Sequence, residues 1–285
     1  MSAEVVVSDL AFRYISRTDW ALDGVRLTAH EGEFLGITGP SGAGKTTLCL
    51  SLNGLVPNVI EGTMRGSVAV GGLDTRKTDV SRMSSVIGVV FQDPRSQLTG
   101  SAMTVEEEVA FGLQNLGVPR HVMIDRIREA LDAVGLAGFE ARSPFELSGG
   151  EQQRLSLATV LAMHPRVIVL DEPTEMLDPE GQVEVMRAVR RIHEKHNMTT
   201  ILVSNQAEVI VEHANRIIIL HRGRIISENT RQEYSKKAKF LETLGVRPTQ
   251  ISQLASMLEE QGLWRGDYPI NETDAVEMIR KFILG

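Results

Sequence analysis

Eight residues, Gly39-Pro40-Ser41-Gly42-Ala43-Gly44-Lys45-Thr46, match the spacing G-x-x-x-x-G-K-[ST]. They stand between a short, almost wholly apolar run, Phe34 to Thr38, and a segment that reads as a helix from Thr46 to Leu55. The order of buried strand, glycine loop and helix constrains the fold more than any other feature, because a strand this apolar needs cover on both faces. Glycines let the backbone curl until successive N–H groups point at one anion, and the helix start near Lys45 adds the positive end of its dipole. Lys45 is then expected to bridge β- and γ-phosphates and the Thr46 hydroxyl to ligate Mg²⁺, with Thr47 grouped among the nucleotide-binding residues. The plainer alternative is a glycine-rich turn carrying an exposed lysine, which lacks a reason for the flanking strand and helix.

The rest of the chain fits an α/β architecture around this unit. Apolar stretches at Val5–Val7, Leu10–Tyr14, Val25–Thr28 and Phe34–Thr38 predict a β-rich opening. Between about residues 94 and 163 the apolar spacing turns to 3 and 4, over Val105–Leu116, Val122–Val134 and Gln152–Met163, which predicts an inserted helical subdomain. Val167–Leu170, a helix from about Gly181 to His196, and Thr200–Val203 restore the alternation of a parallel sheet. Ile217–Leu220 and Arg224–Ser227 read as closing strands. The expected division is one domain over residues 1–233 and a small helical extension over 234–285.

The composition excludes several classes. With 42% hydrophobic residues and a net charge of −7 over 285 residues, the chain has the material for a core and is not disordered. Its longest apolar runs, such as Val86–Phe91, are far below the roughly 18 residues that cross a bilayer, and the N-terminus shows no basic-then-apolar leader. The single cysteine, Cys49, permits no intramolecular disulfide and suits a reducing compartment. A pI near 5.6 argues against nucleic acid as a partner.

A second acidic motif ends the strand Val167–Leu170. Asp171 suits a metal-side carboxylate, and Glu172 suits a base that orients an attacking water. Two acids ending a strand also cap turns in many proteins, and it is the phosphate loop that gives this pair its meaning.

Leu147-Ser148-Gly149-Gly150-Glu151-Gln152-Gln153-Arg154 closely resembles the signature motif of ABC-type ATPases, and it stands some twenty residues before Asp171 as in that family. A Ser-Gly-Gly turn opening a helix is itself an anion cradle, and Ser148 with Glu151 also reads as a capping box; the two readings are compatible. The resemblance implies a P-loop NTPase of the ABC ATPase fold, with an N-terminal antiparallel β subdomain, a parallel-sheet core, an inserted helical subdomain and a C-terminal extension. It implies ATP and Mg²⁺ as ligands, with the phosphate loop Gly39 to Thr46 of one chain facing Leu147, Ser148, Gly149, Gly150 and Glu151 of another. Tyr14 matches the adenine-stacking aromatic, although a core tyrosine is the alternative. Gln92 matches the glutamine that contacts Mg²⁺ beside Thr46 and Asp171, and Asp178 the D-loop aspartate at the dimer interface.

Asn205 departs from the family pattern. It occupies the switch position where a histidine usually contacts the γ-phosphate; asparagine can hydrogen-bond a phosphate oxygen but cannot take an imidazole's charge. Either turnover at this site is slower, or Glu172 suffices and asparagine is tolerated. Glu175 and Met176 also replace small residues.

Val90 to Leu98, Thr104 to Gly112 and the tail segments Leu244–Ile251 and Pro269–Asn271 resemble the ATPase subunits of energy-coupling factor (ECF) transporters. That resemblance implies a peripheral ATPase on the cytoplasmic face of the cell membrane, powering uptake of a vitamin or transition-metal ion. The implied partners are a second ABC ATPase, a heterodimer being favoured over a homodimer by Asn205, an integral membrane coupling subunit and a membrane substrate-binding subunit. Two alternatives stand beside it: a weakly hydrolysing nucleotide-binding subunit of a heterodimer, and the ATPase of another ABC importer class.

Overall fold

The computed structural model describes residues 3–284. Residues 1, 2 and 285, at the ends of the two expected domains, lie outside it. Strands β1 (Ala3–Tyr14) and β2 (Leu22–His30) pair antiparallel and lead into β3 (Phe34–Thr38). The glycine loop then opens α1 (Lys45–Leu52). Two short helices, α2 (Leu55–Asn58) and α3 (Val80–Met83), bracket β4 (Gly62–Val70) and β5 (Leu73–Asp74). The helix expected as far as Leu55 stops earlier because Gly54 turns left-handed at φ 76°.

β6 (Ile87–Val90) precedes the helical layer of α4 (Val105–Asn115), α5 (Arg120–Ala133) and α6 (Gly149–Ala162). Then follow β7 (Val167–Asp171), α7 (Pro179–His196), β8 (Thr199–Val203), α8 (Ala207–His213), β9 (Arg216–His221) and β10 (Arg224–Thr230). The C-terminal helices are α9 (Arg231–Ser235), α10 (Ala238–Thr243), α11 (Gln250–Glu260) and α12 (Glu272–Leu284).

Two sheets result. The first is antiparallel in the order β2-β1-β4-β5; the second has the order β10-β9-β3-β8-β7-β6, parallel except for β10. Strand alternation distributes the core. Leu35, Ile37, Val167, Val169, Ile201 and Val203 face α1 and the antiparallel sheet, whereas Phe34, Ile168, Leu170 and Leu202 face the layer of later helices, α4 to α8. Both faces of β3, β7 and β8 are therefore covered, and the only free direction at their C-terminal ends is outward, where the phosphate loop, Asp171–Glu172 and Ser204–Asn205 stand side by side. Tyr268, Ala255 and Met278 form a small separate cluster under α11 and α12.

Candidate functional site

The loop Gly39–Thr46 leaves β3 and closes against its neighbours. A Cβ on Gly39 would lie 2.0 Å from the Leu220 carbonyl oxygen, and one on Gly44, at φ 105°, would lie 2.5 Å from the Ala21 carbonyl oxygen. Glycine is required at both positions by backbone proximity, so the loop wraps as tightly as an anion cradle needs. Lys45 is nearly buried, and its Nζ donates to the Gly39 oxygen at 2.8 Å and the Pro40 oxygen at 3.3 Å, which draws the ammonium back over the loop.

At the end of β7, Asp171 and Glu172 are 2% and 7% exposed. Burial raises the Asp171 carboxyl above the usual range, opposed by the Thr46 hydroxyl and the Lys45 ammonium beside it. Burial likewise raises Glu172, opposed first by the Ser204 hydroxyl, then by Lys45 and the Asn205 backbone N–H, which donates at 2.8 Å. A carboxylate of raised basicity held in one orientation is suited to accept a proton from water. Glu172 adopts φ 51°, a left-handed conformation uncommon outside glycine, which turns its side chain toward the end of β8.

These groups line a cavity of about 810 Å³ whose wall includes Tyr14, Ser41, Gly42, Ala43, Gly44, Lys45, Thr46, Thr47, Gln92, Asp171, Glu172 and Asn205. Tyr14 is half-buried, edge-on to Phe12, with its hydroxyl 2.9 Å from the Thr47 hydroxyl. The donors on the metal side, a threonine hydroxyl, a carboxylate and the Gln92 amide, are all oxygen or can present oxygen, and the carboxylate is buried beside a single ammonium. This set fits Mg²⁺ and does not suit a soft metal.

The structure also brings in residues that the sequence did not single out. Arg17, Asp19, Trp20 and Arg222 complete the outer wall, and Glu175, which the sequence marked only as replacing a small residue, accepts a hydrogen bond from the Gln92 Nε2. Trp20 is flanked by the guanidinium groups of Arg13 and Arg65, 5.3 and 5.0 Å from its ring. Nothing in the local sequence sets Arg17, Asp19, Trp20 and Arg222 apart, since they come together only where the β1–β2 turn meets the β9–β10 turn.

Leu147, Ser148, Gly149, Gly150 and Glu151 do not line this cavity, nor does Asp178. Ser148 and Glu151 form a reciprocal cap on α6, with Glu151 Oε2 2.7 Å from the Ser148 N, and Asp178 caps α7 through the Gly181 N–H at 2.9 Å. Leu177 packs close to Gly150, where a Cβ would stand 3.2 Å from it, so the signature turn and the D-loop segment form one local surface. A second cavity, of about 490 Å³, is shared by Gly39–Ser41, Asn205 and the C-terminal segment Gly245–Arg247.

Residues 22–175 match the ABC transporter family. A putative ABC transporter ATP-binding protein of Pyrococcus horikoshii is 45% identical over 260 residues, covering 91% of this chain and 90% of the relative. An energy-coupling factor transporter ATP-binding protein, EcfA1, of Streptococcus agalactiae is 35% identical over 280 residues, with 98% of each chain covered. Among solved structures, cbiO1 of Clostridium perfringens, described as part of the ABC transporter complex cbiONQ, superposes with a TM-score of 0.74 at 26% identity, covering 90% of this chain and 100% of that one.

Proposed function

The chain belongs to the ABC transporter family as an ATP-binding, ATP-hydrolysing subunit, and from that premise we propose that it drives an ECF-type importer for a vitamin or transition-metal ion. Its phosphate loop, Gly39 to Thr46, holds the ATP phosphates, with Lys45 on the β- and γ-phosphates and Tyr14 against the adenine. Thr46, Gln92 and Asp171 would hold Mg²⁺, which would supply positive charge to offset the charge developing on the transferred phosphoryl group. Glu172 orients the attacking water and accepts its proton, while Asn205 hydrogen-bonds the γ-phosphate. The single observation that carries the hydrolytic part of this reading is the buried Glu172 carboxylate, held by Ser204 and Asn205 across the cavity wall from Lys45 and Thr46, and the likeness to EcfA1 over 98% of the chain supports the importer class.

Pairing with a second ABC ATPase completes the site, because the signature turn of this chain lies away from its own cavity and is available to a partner's nucleotide. A heterodimer is favoured, in which this chain lends an intact signature to a partner. The C-terminal extension, residues 234–285, contributes to pairing: Met257, Leu263 and Val276 are exposed there. The proposed dock for the membrane coupling subunit is an apolar groove formed by Leu98, Pro144 and Phe145 with Arg95 at its edge, a few residues beyond Gln92. Phe145 is 67% exposed in it, an anchor of the kind that a partner helix covers. No helix among the described residues is long and apolar enough to cross a membrane, which is in keeping with a peripheral position against such a coupling subunit.

The test is affinity purification of the tagged chain from gently solubilised membranes. A coupling membrane protein, a small membrane-embedded binder and a second ATPase are expected together. A membrane protein without a second ATPase would replace the heterodimer by a homodimer. Absence of any membrane protein would overturn the importer reading.

A further inference from the structure

We propose that Glu129, His164 and His196 form a binding site for a first-row divalent transition-metal ion of the zinc type. None of the three lines the nucleotide cavity. Glu129 comes from α5, His164 follows the end of α6, and His196 is the last residue of α7. Among the described residues they are the one group of histidine, cysteine and acidic side chains whose donor atoms all converge within 4.8 Å.

The spacing suits a small tetrahedral ion. His196 Nε2 lies 3.3 Å from Glu129 Oε1, and His164 Nε2 lies 3.7 Å from Glu129 Oε2. An ion with bonds of about 2.0–2.1 Å to nitrogen and oxygen holds its tetrahedral donors about 3.3 Å apart; the two distances run to the two oxygens of one carboxylate, so an ion taking Glu129 through Oε1 finds His196 in place and needs the His164 ring, whose centroid is 4.2 Å from that of His196, to turn toward it. Two imidazoles and one carboxylate leave a fourth position for water. Imidazole nitrogen also selects against Mg²⁺ and Ca²⁺, which take oxygen donors.

The setting favours ligation. Each donor side chain is only 20–26% exposed, so the three are partly desolvated together. His164 adopts φ 52°, a conformation that glycine takes freely, so the backbone itself does not call for histidine there. Opposing charges are present. Lys195 Nζ lies 2.6 Å from Glu129 Oε1, and Arg126 stands near His164, donating to the Met163 oxygen at 3.4 Å. Lys195 is 57% exposed and can swing into water when an ion takes Glu129, while the charge of Arg126 weakens the site. An ion bound here would tie the far end of α6, the helix that the signature turn opens, to both α5 and α7.

The experiment titrates metal-stripped, nucleotide-free full-length chain with ZnCl₂ by calorimetry and with CoCl₂ by visible absorption. One equivalent of Zn²⁺, intense four-coordinate Co²⁺ bands and a Zn²⁺-dependent rise in Tm are expected. Glu129→Gln and His196→Gln, each checked for wild-type circular dichroism, should weaken binding by roughly tenfold or more and abolish the Tm rise. Asp171→Asn, which alters only the nucleotide cavity, should bind as wild type does. Absence of saturable Zn²⁺ binding to the wild type would overturn the proposal, as would equal binding by both Gln variants; the cluster would then be an ion-paired hydrogen-bond network.

Discussion

Glu172 is bound to the end of the neighbouring strand through Ser204, whose hydroxyl donates to Glu172 Oε2 at 3.0 Å. Ser204 Oγ in turn accepts the Gln206 N–H at 3.1 Å, and Glu172 Oε1 accepts the Asn205 N–H at 2.8 Å. The Glu172 carboxylate, the proposed base, is thus oriented by the β8 end and not by its own strand. Glu172→Gln keeps the shape of the side chain but removes the basic carboxylate, and should lower kcat by about 10²–10⁴ while ATP still binds. Ser204→Ala removes one orienting bond from a buried charge and should lower kcat roughly tenfold, with KM for ATP little changed. Steady-state phosphate release with paired ATPase subunits measures both, and a Ser204→Ala enzyme with unchanged kcat would remove Ser204 from this role.

Gln92 and Glu175 give a second prediction. The Gln92 Nε2 donates to the Glu175 carboxylate across the cavity mouth, which leaves the Gln92 amide oxygen as the end free to face a metal. Glu175→Ala should raise the Mg²⁺ concentration needed for half-maximal ATPase by a few-fold through loss of that orientation. Glu175→Gln, which keeps an acceptor, should recover most of the loss. Mg²⁺ titrations of the three enzymes decide it.

Much of this site was legible in the sequence because its parts are local. Gly39–Thr46 carries its own turn chemistry, and the apolar runs of β3, β7 and β8 mark strands buried on both faces. The partners of Glu172 and Gln92 were not legible, because Ser204 and Glu175 approach them only once β7, β8 and β6 lie side by side. The strands β4 and β5 also escaped the periodicity, since the inward positions of β4 before Val68 are Gly62, Met64 and Gly66, only half-buried and mostly without an apolar side chain, and a two-residue β5 has no period to show. The apolar spacing that begins at Gln152 misses the start of α6 at Gly149, which the Ser148–Glu151 capping box marks instead, because the cap and not the buried face sets the helix start.

Acid should destabilise the core through two histidines flanking Phe34. His193 and His213 have ring centroids 5.2 and 6.2 Å from that ring. Burial lowers both below the ordinary histidine value; at His193 a backbone hydrogen bond at Met198 and the charge of Glu194 oppose this and Arg190 adds to it, and at His213 Glu212 opposes while Arg190 and Arg231 add. The folded state therefore refuses protons that the unfolded chain accepts below about pH 6.5. Stability from this pair is fully present above that value and is lost as pH falls below it. Thermal melts should show Tm dropping by several degrees between about pH 7.5 and 5.5, and His213→Gln should flatten the slope.

Pairing through the extension predicts a surface variant. Met257, on the exposed side of α11, is 60% exposed and near Leu254, three residues earlier on the same helix. Met257→Asp should shift the ATP-loaded Glu172→Gln assembly toward single chains in light scattering, with no change in the ATP affinity of the isolated chain. An unchanged assembly would move the pairing surface off the extension.

Asn205 carries the last prediction. Its backbone holds Glu172, which any residue can do, whereas its exposed side chain borders both the nucleotide cavity and the cavity beneath the C-terminal segment. Asn205→His preserves the backbone bond and adds an imidazole that can carry positive charge toward a γ-phosphate near neutral pH. We expect single-turnover hydrolysis at this chain's own site to rise several-fold, about 1 kcal/mol of added transition-state stabilisation. The rise should be confined to the site built on this phosphate loop, so a partner carrying an inactive base isolates it. An Asn205→His site no faster than the parent would mean that Glu172, already fixed by Ser204 and the backbone N–H that follows it, needs no further help and that the switch side chain is a neutral variation.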